Sequence, residues 1–276
     1  MSVSDQGWMD TIKKLEEGDM ITIQYVPVVE HIAGMHWSIH KEYRPQQYKI
    51  QRQLGVGGQG AVYEAADFHN PKKRYVIKQL IPKEACDAAS IGFSSWNPSA
   101  EEEKDAEIQH ALKLRRESKD GPIPKRVCDS MFIREMVYSI VFGKLGVSPT
   151  VYGFDLNRYC IVMQPLDRTL SQIVKEKTQL TKTQWVRLFE IERIVSQENV
   201  AHNDKRLQNY MANRDGQLYI IDWGAATHID GTKSKKKYPN SGMGYLNTLV
   251  PNHKKRFSLT WAEAADLIGI NADPPV

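Results

Sequence analysis

From residue 48 the chain alternates apolar and polar positions in the manner of strands. Tyr48, Ile50 and Leu54 fall at even spacing, with Lys49, Gln51 and Gln53 between them, which predicts a half-buried strand. The glycine-rich run Gly55-Val56-Gly57-Gly58-Gln59-Gly60 follows, and Ala61 to Ala65 then reads as a second strand, so the glycines mark a hairpin. Tyr75 to Lys78 is a third strand, reached across a turn at His69-Asn70-Pro71. The period then lengthens. Ser99-Ala100-Glu101-Glu102 resembles a capping box and predicts a charged helix through Glu117, with Ile108, Ala111 and Leu112 at helical spacing. Phe132, Met136, Ile140 and Leu145 predict another helix from Ser130 to Leu145. Two strands, Thr150 to Gly153 and Tyr159 to Met163, flank the turn Asp155-Leu156-Asn157. Thr181, with Gln184 three residues on, caps a helix whose Trp185, Leu188, Ile191 and Val195 make a core stripe. Tyr210-Met211-Ala212 and Leu218 to Ile221 flank Asn213-Arg214-Asp215-Gly216, a hairpin turn. Before this body, residues 1–47 read as an extension carrying no chemistry. A short helix is expected from Ser4 to Glu17, and an edge strand, containing Pro27, from Met20 to Val29. A last capping box, Thr260-Trp261-Ala262-Glu263, opens a helix to about Ile268. The mixture predicts an α+β fold.

The chain's 276 residues suffice for one large domain or two lobes sharing a cleft. No apolar run is long enough to span a bilayer, and Met1 to Met20 carries acids and lacks the apolar core of a secretory signal. Cys86, Cys128 and Cys160 have no C-x-x-C spacing and read as buried small hydrophobes in a reducing interior, not as zinc ligands or disulfides. An intracellular location is therefore expected: cytoplasm or nucleus, or a host cell for an effector or viral chain. A net charge of +4 implies no stable nucleic-acid partner. The charge is uneven, however. From Gly231 to Thr260 there are seven Lys/Arg and no Asp or Glu, a run suited to a partner, an acidic substrate, a phosphoinositide or nuclear import.

Chemistry concentrates between His202 and Gly224. His202-Asn203-Asp204-Lys205-Arg206-Leu207-Gln208-Asn209 places an acid and, five residues on, an amide; Asp222 follows beyond the hairpin. Phosphoryl transfer needs such a set, with Asp204 to accept the proton of an attacking hydroxyl and Asn209 and Asp222 to hold Mg²⁺ against nucleotide phosphates. The glycine hairpin suits the same chemistry, since glycines let backbone N–H groups approach phosphate with no Cβ in the way. Lys78, ending a β-branched run, supplies a cation for α/β phosphates.

Taken in order, Gly55-x-Gly57-x-x-Gly60-x-Val62, Val76-Ile77-Lys78, His202-x-Asp204 with Asn209, and Asp222-Trp223-Gly224 resemble the eukaryotic-type protein kinase superfamily, from about Tyr48 to Gly224. The resemblance implies a bilobal fold: a β-rich N-lobe over 48–163, with an insertion at about 82–128, and a helical C-lobe over 164–276. It implies ATP and Mg²⁺ as cofactors, Gly55, Val56, Gly57, Gly58, Gln59, Gly60 and Val62 over the nucleotide, and a helix-borne glutamate paired with Lys78. Glu135 is the acid chosen for that pair. By alignment Met163 limits the adenine pocket, Gln164 to Leu166 form the hinge, and His202 braces the catalytic loop without acting as acid or base.

Some positions depart from the family. Asn203 stands where an arginine that reads activation-loop phosphate is usual, so a phosphorylation switch is not implied. Arg206 takes the place of a lysine near the γ-phosphate, and Trp223 replaces phenylalanine. After Gly224 no Ala-Pro-Glu occurs, so the C-lobe is expected to be truncated, as in some effector and large-DNA-virus kinases, some of which need an activating protein partner. Three functions follow: a Ser/Thr-directed protein kinase, a small-molecule phosphotransferase of the aminoglycoside or choline kinase kind, or a non-catalytic scaffold. No essential side chain is missing, which favours the first.

Overall fold

A computed structural model describes residues 12–32, 36–57, 60–80, 125–176 and 179–229. The predicted helix over 101–117, the helix at Thr260, the basic runs after Gly231, and Gly58 and Gln59 lie outside them. The described residues are mixed α+β, rich in strands towards the N-terminus, and contain three α-helices. They fall into two compact units, one reaching to Val141 and resuming over Thr150–Pro165, the other comprising Phe142–Pro149 and the residues from Leu166 onward.

Six antiparallel strands build the first unit: β1 (Met20–Ile32), β2 (His36–Gly57), β3 (Gly60–Asp67), β4 (Arg74–Leu80), β5 (Val151–Asp155) and β6 (Cys160–Met163). Their order, β1-β2-β3-β4-β6-β5, closes on itself where Tyr25 of β1 pairs with Phe154 of β5. Closing a sheet needs strong local bending, which bulges supply. Register breaks occur in β1 between Ile23 and Tyr25, in β2 between Ile50 and Arg52 and between Gln53 and Gly55, and in β5 between Val151 and Gly153. Gly153 sits at the seam. A Cβ there would lie 3.0 Å from the Ile23 side chain and 3.1 Å from the Tyr25 carbonyl oxygen.

Two apolar clusters fill this unit. Leu15, Ile21, Ile23, Tyr48, Ile50, Tyr63, Ile77 and Val162 belong to one. The other joins the opposite face of the sheet, through Leu80, Phe154 and Ile161, to Met131, Phe132, Met136 and Ile140 of α1 (Lys125–Lys144). The helix thus covers the face of β4 that carries the even-numbered positions, Lys78 among them.

Three details differ from the sequence pattern. Leu54 is exposed although Tyr48 and Ile50 are buried, because the two bulges in β2 break the alternation. Residues 12–17 are not helical; the Leu15 N–H donates to Gln79 Oε1 (3.1 Å) and Gln79 Nε2 donates to the Lys13 carbonyl (3.0 Å), so a buried side chain of β4 takes up backbone that a helix would have satisfied internally. The strand containing Pro27 runs to Ile32, and Pro27 itself pairs with Lys41, two residues beyond the seam with β5. A residue without an N–H is tolerated there.

In the second unit Thr169 and Thr181 cap α2 (Leu170–Lys175) and α3 (Lys182–Gln197) with reciprocal boxes to Gln172 and Gln184. Trp185, Leu188, Ile191 and Val195 are all buried along α3. A small sheet is ordered β10 (Leu218–Ile220), β9 (Tyr210–Ala212), β7 (Arg168–Thr169), and β8 (Val200–Ala201) pairs with β11 (Thr227–His228). The β9–β10 turn is held by Asn213 Oδ1, which accepts from the N–H of Asp215 and Gln217, and by Gly216 at φ +83°.

Candidate active site

The first unit brings three of the candidate residues, Gly55, Val62 and Lys78, into one cross-strand row. Gly55 pairs with Val62, Val62 with Lys78, and Lys78 with Ile161. Directly opposed residues share a sheet face, so Lys78 stands beside Val62, behind the glycine hairpin closed by the Gly57–Gly60 pair. Gly60 is glycine for a local reason: a Cβ would fall 2.0 Å from the Gln79 carbonyl oxygen. Around Gly55, by contrast, a Cβ would meet nothing within 4 Å, and Val56 is exposed.

Lys78 Nζ donates to Glu135 Oε1 at 2.8 Å, with side-chain exposures of 22% and 7%. Burial at that level takes the pair out of the class of surface ion pairs. Removing one partner from such a pair leaves a desolvated charge and costs about 3–5 kcal/mol. Glu135 lies on α1 between Phe132 and Met136, whose packing on the sheet aims it at β4. Met163 pairs with Val76 and Val151 and packs against the α1 cluster. The Gln164 N–H donates to the Thr150 carbonyl (2.9 Å), and Pro165 has no N–H. At Leu166 the chain passes into the second unit.

The second unit gathers the rest. Pairing of β8 with β11 ties together the two ends of the stretch from His202 to Ala226. His202 is fully buried. The Asp204 N–H donates to its Nδ1 (3.3 Å), which makes Nε2 the protonated nitrogen, and Nε2 donates to the Ile221 carbonyl at 2.9 Å. Burial pushes its pKa down to about 4, against the opposing pull of the Ile221 carbonyl and Asp222. It is a neutral brace at neutral pH.

Asn209, also buried, donates both amide hydrogens to Asp204, one to the carbonyl (2.8 Å) and one to Oδ2 (2.9 Å). Its amide oxygen is then the group able to face a cation. The Asn209 carbonyl accepts from the Ile221 N–H (2.9 Å), which puts Asp222 one residue away, in the left-handed region at φ +68°. One carboxylate and one amide oxygen are hard donors. They fit Mg²⁺, which is held by one or two protein ligands completed by substrate phosphates and water. No cluster of three or more His, Cys, Asp or Glu occurs among the described residues.

The two basic residues after Asp204 separate. Lys205 turns inward, 16% exposed, to the buried Glu192 of α3. Arg206 turns outward, 58% exposed, with Nη2 3.2 Å from Asp204 Oδ2. Asn203, at φ +61°, donates to the Ala225 carbonyl and to Thr227 Oγ1, both at 2.9 Å. An asparagine tolerates that backbone conformation, and its amide fastens the loop to the segment after Gly224. Trp223 stacks on Phe142 (4.1 Å, 6°) and donates to Ser148 Oγ (2.9 Å), which in turn donates to the Ile220 carbonyl (2.7 Å). Phenylalanine lacks the N–H for that link. Glu192 and Ser148 escaped the sequence reading. A carboxylate at a buried position of the α3 stripe was a legible signal; a serine after a helix was not.

The sheet-bound lysine, its helix glutamate and the glycine hairpin belong to the first unit, and the acid–amide–acid set beside the small hairpin belongs to the second. Among known proteins, the chain is similar to a probable serine/threonine-protein kinase, YbdM, of Bacillus subtilis strain 168, at 26% identity over 185 residues. The match covers 66% of this chain and 59% of that protein's length. No family model matches. The comparison points to a kinase-like phosphotransferase. Among the described residues no helix is long and apolar enough to cross a membrane.

Proposed function

We propose that the chain is an ATP- and Mg²⁺-dependent protein kinase of bilobal type, directed to Ser/Thr hydroxyls. The observation that carries the reading is the Lys78–Glu135 pair. A cation on a strand directly behind a glycine hairpin, oriented by a buried carboxylate, is what alignment of α/β phosphates requires. The similarity to a probable serine/threonine-protein kinase supports the same reading.

Each residue then has a task. Asp204 accepts the proton of the attacking hydroxyl, and Asn209 fixes the orientation of its carboxylate. Asn209 and Asp222 hold Mg²⁺, which, when bound, neutralises charge on the phosphates. Arg206 is held by an exposed pair, worth little in water, and is able to leave Asp204 for an incoming phosphate. His202 fixes the backbone of both segments and moves no proton.

Small-molecule phosphotransferases share the acid–amide–acid set, so the test offers both acceptors. Purified protein with radiolabelled ATP and Mg²⁺ is given a protein panel and a panel of small hydroxyl compounds, with Asp204→Asn as control. Label on protein, lost in the control, is expected. Label confined to small hydroxyl compounds gives the second reading, and no label on either overturns both.

A further inference from the structure

One charged side chain inside the second unit has no part in that account. Glu192 lies in α3 between fully buried neighbours, Leu188, Ile191 and Val195, and is itself only 4% exposed. Leaving a carboxylate there without compensation costs several kcal/mol, and an apolar side chain would fill the position without that cost. Its oxygens are instead divided between two partners. Oε2 accepts from Lys205 Nζ and Oε1 accepts from the Tyr210 hydroxyl. Lys205 is the residue immediately after Asp204, and Tyr210, fully buried, is the residue immediately after Asn209.

We infer that Glu192 is a positioning residue that clamps both ends of the Asp204–Asn209 loop to α3 and thereby sets the geometry of the proton acceptor and the metal-binding amide together. The inference rests on the phosphotransferase reading for its consequence in catalysis, but not for the clamp itself. Three features support it. The loop's internal bonds, from Asn209 Nδ2 to the Asp204 carbonyl and carboxylate, need the two residues in fixed register. Between them lie a 3-10 turn over Leu207–Asn209 without a side-chain cap, and an outward, exposed Arg206, neither of which supplies an anchor to the helix. The anchor on α3 is itself fixed, because Arg187 of the same helix donates through Nε to the Leu218 carbonyl (3.2 Å) and Gln184 Nε2 to the Gly216 carbonyl (3.2 Å). Helix, hairpin and loop therefore form one frame, and Glu192 is the link from the helix to the loop.

The test uses the full chain with Glu192→Gln, Tyr210→Phe, Lys205→Met and the Lys205→Met/Tyr210→Phe double variant. Two readouts are taken: kcat and KM for ATP on the best acceptor, and affinity for Mn²⁺ with a non-hydrolysable ATP analogue, which needs no turnover. Residues that orient metal ligands typically cost 10- to 100-fold when changed. Glu192→Gln is therefore expected to lower kcat by roughly tenfold or more and to weaken Mn²⁺ binding by a similar factor, while KM for ATP stays within about threefold. The double variant is expected to lose no more than Glu192→Gln, since both bonds act through one carboxylate. Tyr210→Phe removes a single hydroxyl and keeps the test open if Glu192→Gln does not fold. The clamp is overturned if Glu192→Gln and Tyr210→Phe both keep kcat and Mn²⁺ affinity within twofold of the parent. It is also overturned if the two loop substitutions act additively beyond Glu192→Gln. Weakened Mn²⁺ binding in a protein that labels no acceptor would leave the clamp standing and remove the kinase reading instead.

Discussion

Asp204, Lys78 and His202 make different demands on their surroundings, and each demand is measurable. Asparagine at 204 keeps the shape and one acceptor oxygen but cannot take a proton. Asp204→Asn is expected to lower kcat by about 10²–10⁴-fold with an unchanged circular dichroism spectrum. A full-rate variant would remove Asp204 from the chemistry. His202 predicts a pH effect on stability. Its folded pKa, about 4, lies below the ordinary 6.5, so the unfolded chain binds the extra proton first. Stability from keeping the imidazole neutral is complete above about pH 6.5 and is lost as pH falls towards 4. Urea unfolding between pH 7.5 and 4.5 should show that loss, and His202→Asn should flatten this part of the profile.

At the scale of elements the glycine hairpin contains two unlike glycines. Gly60 lies where any Cβ would strike the Gln79 carbonyl, so Gly60→Ala must push β3 from β4, the strand of Lys78. A melting temperature lower by several degrees is expected, as for about 1–3 kcal/mol of overpacking, together with reduced activity. Gly55→Ala meets open space and is expected to leave melting unchanged, with any effect confined to KM for ATP. Equal melting temperatures for the two variants would contradict the packing described. The same logic applies at the barrel seam, where a Cβ at Gly153 would crowd the Ile23 side chain and the Tyr25 carbonyl.

For the whole molecule, the kinase proposal gives Lys78 and Asp222 tasks in the same phosphoryl transfer. Groups that act as a unit are not additive. Lys78→Met combined with Asp222→Asn should therefore lower kcat little further than the worse single change. Rate losses that multiply would mean that the two residues act independently.

Much of this was legible in the chain because local physics writes it there. Alternation marked Tyr48 and Ile50 of β2, the Thr181–Gln184 spacing marked the start of α3, and the 213–216 turn marked the β9–β10 hairpin; each depends on neighbours within a few residues. The acid–amide–acid spacing was legible for the same reason, and Glu135 was legible as the one acid between Asp129 and Leu145. Other features depend on contacts between distant segments, and no short window contains them. Residues 20–47 showed one strand and no chemistry, yet they complete a closed barrel, because closure depends on where β5 comes to lie against Tyr25. Bulges turned Leu54 outward, against its place in the alternation. The inward course of Lys205 and the outward course of Arg206 follow from a carboxylate 13 residues before Lys205, buried in a helix. Sequence alone marked α1, α3, the β9–β10 hairpin and the reactive side chains, through backbone propensity and periodicity. Tertiary packing alone decided which buried charge each reactive side chain meets, because desolvation and hydrogen-bond geometry are set by groups far apart in the chain.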